Sequence, residues 1–338
     1  MINVTLYSRN DCHLCEQANA DLVTLQTEIP HKLTVVDVDS SLDLRRAYGL
    51  EVPVVEVGPY KLRAPFDLQE LRITLMAAKD RKEQLDTLGG PAYQQLVQNS
   101  QTWTSADSFA YWLSNHYLAL FNIIVLVYLG LPVMAPILMK AGFESPAWLI
   151  YRVYSAMCHQ FAFRSFFLFG EQLDYPRAAA GVNGLLTLAQ ATGLGEGTSA
   201  EELIAARTFV GNEVVGYKVA LCERDIAIWG GLLLFGVIYS LTGRRLPPLP
   251  WYLWLLIGIV PIGIDGVSQL LSQPPFYFYA FRESTPLLRV LTGGLFGVAT
   301  AWFGYPMTEE AMAETRRIMA TKRLRIHANM PTNKPATS

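Results

Sequence analysis

Val4-Thr5-Leu6-Tyr7-Ser8-Arg9-Asn10-Asp11-Cys12-His13-Leu14-Cys15 is an apolar run, a short polar turn and two cysteines separated by two residues. The run reads as a buried strand. The residues after the cysteines repeat apolar side chains at helical spacing, Ala18, Leu22 and Leu25, over a helix spanning Cys15–Glu28. Working outward, Leu33–Val38 is a second strand and Ser41–Tyr48 a short helix closed by Gly49, a favoured C′ residue. Val52–Val57 is a third strand with Pro53 at its start, and Asp67-Leu68-Gln69-Glu70 opens a closing helix with a capping-box pattern. Residues 1–78 therefore read as a small α/β domain.

The cysteine pair falls where a strand gives way to a helix. Backbone N–H groups and the positive dipole end at a helix start lower a thiol pKa from about 8.5 into the range of roughly 3.5–7.5. Such a pair is suited to swap between dithiol and disulfide. Half of a zinc site is the competing reading, but structural zinc takes four ligands and only His13 and His31 stand nearby. A fold that has lost its redox function is the other, and the presence of both cysteines weighs against it.

Tyr7–Cys15, the acidic strand end Asp37-Val38-Asp39 and the stretch Tyr48-Gly49-Leu50-Glu51-Val52-Pro53-Val54 resemble the short bacterial glutaredoxin-like group of the thioredoxin superfamily. The resemblance covers nearly the whole of residues 1–78. It implies that Cys12 is the nucleophile, that Cys15 resolves the mixed disulfide, and that Pro53 is cis and shapes, with Val52, the substrate groove. Glutaredoxins usually carry a glycine pair after the third strand to hold glutathione; here Gly58-Pro59-Tyr60 stands instead. No cofactor is required by the pair; glutathione or quinone is possible, though neither is supported by a residue of the sequence.

The remainder is of another kind. Half the residues are apolar (51%), yet charges crowd residues 1–107 and the carboxy-terminal stretch, leaving long uncharged runs between. Tyr117–Met139, Ile226–Gly243, Pro250–Leu271 and Pro286–Tyr305 are each long enough to cross a hydrocarbon core of about 30 Å. Gly293, Gly294 and Gly297 in the last permit close helix contact. Residues 79–112 read as a helical linker, with Gly89-Gly90-Pro91 as a hinge, and 113–305 as an all-α multi-pass membrane domain with an outer insertion near 170–217. Residues 306–338 read as a basic tail. Arg244-Arg245 and the tail's Arg316-Arg317 and Lys322–Arg325 all fall inside if four helices begin and end in the cytoplasm, as the positive-inside rule favours. Met1-Ile2-Asn3-Val4 lacks the pattern of a signal peptide, which agrees. The expectation is a multi-pass cell-membrane protein with both termini cytoplasmic. A fifth crossing over Trp148–Gly170 would carry Arg152, His159 and Arg164, so that stretch is expected to be an interfacial or partly immersed helix. A net charge of −2 gives no argument for a nucleic-acid partner.

This topology gathers polar residues from four segments on the outer face: Cys158, His159, Arg164, Cys222, Arg224, Asp225, Asp265, Gln269, Arg282 and Glu283. Asp265 lies roughly 22 Å from the inner boundary at 1.5 Å per residue, one turn from Gln269. An Asp within a span costs on the order of 2.5–3.5 kcal/mol, so it must face partners rather than lipid. Cys158-His159-Gln160 with Arg164–Phe167, Cys222–Asp225, Pro261–Gly266 and Arg282–Thr285 resemble the prokaryotic membrane family called domain of unknown function 2085, over about residues 145–305. That resemblance implies an architecture and no activity. Three readings of the cluster stay open: a reversible Cys158–Cys222 disulfide that exchanges electrons with quinone or another thiol protein, a metal site of Cys158, His159, Cys222 and Asp225 whose ligand mix suits zinc, or a polar network tying helix ends with a static disulfide. The metal reading ranks last, for want of a paired ligand spacing, and no metal is expected. The function expected is a membrane-anchored thiol–disulfide oxidoreductase, with a disulfide or thiol protein as partner and a relay to Cys158 and Cys222. The alternative is a membrane transport or ligand-binding protein with a redox-sensing head.

Overall fold

The apolar run after Met1 forms strand β1 (Ile2–Ser8), followed by helix α1 (His13–Leu25), strand β2 (His31–Asp37), helix α2 (Leu42–Tyr48), strands β3 (Val54–Val57) and β4 (Tyr60–Arg63), and helix α3 (Leu68–Leu88). The sheet order is β2-β1-β3-β4, with β1 parallel to β2 and β3 antiparallel to both β1 and β4. Period-two alternation along β1 sorts its side chains. Val4 and Leu6 join Leu22, Leu25, Val55, Leu71 and Leu75 in one core, while Tyr7 joins Val36, Val54 and Tyr48 in another. The Asp67 side chain accepts the Glu70 N–H at 2.7 Å and Glu70 returns the contact to the Asp67 N–H, the capping box that starts α3.

The computed structural model describes residues 1–329. It separates into a first unit, Met1–His116 with the segment from Glu310 onward, and a second, Tyr117–Glu309. Two local expectations need correction. Gly49 ends α2 at φ −58, in the right-handed region, because the chain continues into a turn in which the Glu51 N–H donates to the Tyr48 carbonyl. Gly58-Pro59 is a two-residue hairpin turn: Gly58 takes φ +56, a value glycine adopts without strain, and Tyr60 opens the unforeseen strand β4.

After α3, Gly89-Gly90 breaks the helix and Pro91 starts α4 (Pro91–Gln101). The longer helix α5 (Ser105–Lys140) follows, then α6 (Glu144–Tyr154). Between α6 and α9 (Glu223–Leu241) lie strand β5 (Ser165–Leu168), helices α7 (Leu188–Thr192) and α8 (Ala200–Thr208), and strands β6 (Gly211–Asn212) and β7 (Gly216–Cys222). The chain then runs through α10 (Trp251–Leu253), a π-helical stretch at Trp254–Ile259, α11 (Val260–Leu271) and α12 (Pro286–Asn329). Among the described residues, four helices are long and apolar enough to cross a membrane: Ser105–Lys140, Glu223–Leu241, Trp251–Leu271 and Pro286–Ile326. The π-helical stretch precedes Pro261, whose missing N–H breaks the regular ladder.

The stretch Trp148–Gly170 is not one helix. Helix α6 ends at Tyr154, and β5 pairs antiparallel with β7 in a three-stranded sheet, order β5-β7-β6. Within the insertion Ser199 caps α8, its side chain accepting the Glu202 N–H. The basic residues beyond Pro306 continue α12 rather than form a separate tail. Arg316 pairs with Asp43 at 2.7 Å, Lys322 with Asp107 at 2.7 Å, and Arg325 reaches the Thr5 hydroxyl, all in the first unit. The last nine residues, 330–338, lie outside those described.

Glycines let α9 and α12 approach backbone to backbone. A Cβ on Gly297 would lie 2.0 Å from the Ile228 carbonyl oxygen, and one on Gly293 2.8 Å from that of Arg224. Gly294 has nothing within 4 Å. Gly297→Ala is therefore expected to destabilise the second unit by about 1–3 kcal/mol through overpacking, while Gly294→Ala leaves the thermal midpoint in detergent unchanged. Equal midpoints for the two variants would contradict the close crossing.

Candidate functional site

Cys12 is the N-cap of α1. Its sulfur accepts the Cys15 N–H at 3.2 Å and is bonded to the Cys15 sulfur, the two Cα atoms being 5.2 Å apart. Burial separates the two: Cys15 is 2% exposed, whereas Cys12 is only half-buried. The more exposed cysteine of the pair is thus the one at the helix start. Leu14, 56% exposed between the cysteines, shares a small groove with Gln17, Pro53, Pro65 and Phe66. The Val52–Pro53 bond is cis.

The loop carrying the pair is anchored by Arg9. Its guanidinium pairs with Asp39 at 2.7 Å and donates to the Gly49 carbonyl at 3.0 Å, joining β1, the end of β2 and the end of α2. The hydrogen bond from Arg9 holds the Asp39 carboxyl below the usual carboxylate range.

In the second unit, Cys158, His159, Arg164, Cys222, Arg224, Asp225 and Gln269 line one cavity of about 270 Å³, together with Met157, Gln160, Phe161 and Arg289. Cys222 caps α9 and Asp225 sits in its first turn, so the two share a helix face. Opposite them the irregular chain after α6 presents Cys158. The sulfurs of Cys158 and Cys222 and a carboxylate oxygen of Asp225 all lie within 4.8 Å of one another. Neither cysteine is joined in a disulfide in this structure. The closeness of the two sulfurs lowers the Cys158 pKa and raises that of Cys222.

Asp265, Arg282 and Glu283 stand behind this cavity in ion pairs. Asp265 accepts from Arg224 at 2.5 Å, Arg282 at 2.8 Å and the Ser284 hydroxyl at 2.7 Å. Glu283 accepts from Arg164 at 2.7 Å, Arg177 at 3.2 Å, Gln269 at 2.8 Å and Arg289. Arg289 also reaches Glu223 at 3.1 Å. Five arginines thus share the three carboxylates Asp265, Glu283 and Glu223. Beside them Lys218, fully buried, donates only to the carbonyls of Gln160 and Arg207, and burial pushes its pKa down to about 7.

A lysine whose pKa falls on folding makes stability rise with pH between its folded value and its unfolded value of about 10.4. Lys218→Met should flatten the rise in thermal midpoint between about pH 7 and pH 10. The same slope in both proteins would show that the amine does not carry it.

The family described as "Glutaredoxin-like domain (DUF836)" matches residues 3–82, and "Predicted membrane protein (DUF2085)" matches residues 204–303. The chain joins a glutaredoxin-like domain to a DUF2085 membrane protein. "Uncharacterized protein MJ1492" of Methanocaldococcus jannaschii is 25% identical over 204 residues, 58% of this chain and 94% of that protein. The X-ray structure of target protein XcR50 from X. campestris is 41% identical, covers 22% of this chain and 96% of that one, and has a TM-score of 0.20.

The DUF2085 match contains Cys222, Arg224, Asp225, Asp265, Gln269, Arg282 and Glu283 and begins after Cys158, His159 and Arg164. It is shorter than the sequence resemblance, which starts near residue 145. Sequence reasoning missed Arg177 and Lys218, which follow no periodic pattern. It also missed the ligand spacing of Cys222 and Asp225, visible only once α9 is seen to begin at Glu223.

Proposed function

We propose that this protein is a membrane-anchored thiol–disulfide oxidoreductase. The Cys12 thiolate attacks one sulfur of a substrate disulfide, forming a mixed disulfide and releasing the other sulfur as a thiolate. Cys15, as its thiolate, then attacks the Cys12 sulfur, forms the Cys12–Cys15 bond and expels the remaining substrate sulfur. The substrate gains two electrons as two thiols, and the pair loses two. A single observation carries the reading: a reachable Cys12 sulfur at a helix start, bonded to a buried Cys15.

The exchange as written needs no cofactor. On the topology read from the sequence, the glutaredoxin-like domain works in the cytoplasm. Turnover of a small disulfide by the purified full-length protein, recharged by a dithiol, tests the assignment. Its absence under conditions where both thiols are reduced rejects it.

The adjacency of Cys158 and Cys222 favours a second two-electron couple, which would receive electrons from a thiol partner. Redox trapping in cells should find this pair cycling with Cys12. A transport or ligand-binding role draws less support, because Asp265, Arg224 and Arg282 are already paired with one another.

A further inference from the structure

We infer that the reduced Cys158–Cys222 pair, with Asp225, is a binding site for a zinc-class divalent cation. Two thiolates and one carboxylate come from two separate segments to a single point, their ligand atoms within 4.8 Å of one another. Tetrahedral zinc, with Zn–S of about 2.3 Å, needs its ligand atoms about 3.8 Å apart, so a small side-chain rotation closes the set. Thiolates exclude calcium and magnesium, which take oxygen ligands, and the carboxylate disfavours copper(I), which prefers soft donors alone.

The surroundings fit the charge. Three anionic ligands leave a zinc complex with one net negative charge, and Arg164, Arg224 and Arg289 line the same cavity. Three protein ligands leave the fourth position of a tetrahedral zinc to another group. His159 lines the same space, its ring stacked on Phe161 at 5.6 Å. An open position is the arrangement of a zinc ion that binds a further group rather than one that only braces a fold. A Cys158–Cys222 disulfide would lack the thiolates, so metal and second redox couple exclude each other in time. The site does not depend on turnover by the glutaredoxin-like domain.

The test uses the full-length protein in nanodiscs, reduced, in a Cys12→Ser/Cys15→Ser background that removes the other dithiol. Zinc content after equilibration and dialysis is expected to be one per chain. It should fall at least tenfold in affinity in Cys158→Ser or Cys222→Ser and by a smaller factor in Asp225→Asn. Cobalt(II) added to the background protein should give the sulfur-to-cobalt charge-transfer absorption of thiolate ligation, a readout that needs no further substitution and survives misfolding of the variants. Absence of that absorption, or zinc retained unchanged by the Cys158→Ser/Cys222→Ser protein, overturns the site.

Discussion

Replacing Cys12 by serine is expected to abolish disulfide turnover, by at least about a thousandfold, with the fold intact. A hydroxyl at the helix start is not ionised near neutral pH, and no other thiol of the domain is reachable, since Cys15 is 2% exposed. Cys15→Ser should behave differently. The Cys12 thiolate would still attack, but the mixed disulfide would persist because nothing resolves it. The variant should therefore accumulate covalently bound substrate after one turnover, visible by mass and released by a small dithiol. The contrast separates the two roles. If Cys12→Ser keeps turnover and Cys15→Ser loses it, the order of attack is reversed. If both keep it, the chemistry lies elsewhere.

Arg9 gives that result a structural setting. By tying the ends of β2 and α2 to the turn before Cys12, it fixes where the first turn of α1 begins, and hence where the Cys15 N–H points. The sequence shows Arg9 and Asp39 as parts of a motif but not as partners, because thirty residues separate them.

The same limit explains what else was legible. Four spans could be read because hydropathy is a local sum, and the Cys12 helix start because a strand, a turn and helical spacing follow one another directly. The gathering of Cys158, Cys222 and Gln269 followed from topology alone, which counts crossings and ignores detail. Strand β4 was hidden because Tyr60–Arg63 is too short for alternation to register, and Gly58-Pro59 invited comparison with a glutathione loop. The sheet of β5, β6 and β7 was hidden because its strands pair across a long connection: Ser165 faces Cys222. Lys218 and Arg177 were hidden for a plainer reason. Nothing local distinguishes a cation that the fold will bury from one it will leave in water.

Glu283→Gln is expected to cost the second unit about 3–5 kcal/mol, the range found when one partner of a buried ion pair is removed and its counter-charge stays behind. The substitution keeps the shape and removes the carboxylate that three guanidiniums share, of which Arg289 keeps a second partner in Glu223. Arg177 and Arg289 are almost fully buried, at 5% and 3% exposure, whereas Arg164 is 26% exposed. Burial alone would raise the Glu283 pKa, yet the arginines hold it below the usual range. Its contribution is thus fully present above the unfolded value of about 4.3 and is lost as pH falls through the lower, folded value. The expected result is a large drop in thermal midpoint at neutral pH, a smaller one for Arg164→Met, whose charge is partly solvated, and faster alkylation of Cys158. The last follows from connectivity. Glu283 holds Arg289 in α12, Arg289 holds Glu223 at the start of α9, and Glu223 follows Cys222 directly. Releasing the carboxylate loosens the thiol pair through two bonded neighbours. An unchanged midpoint with unchanged Cys158 reactivity would mean that water, not Glu283, already neutralises these arginines.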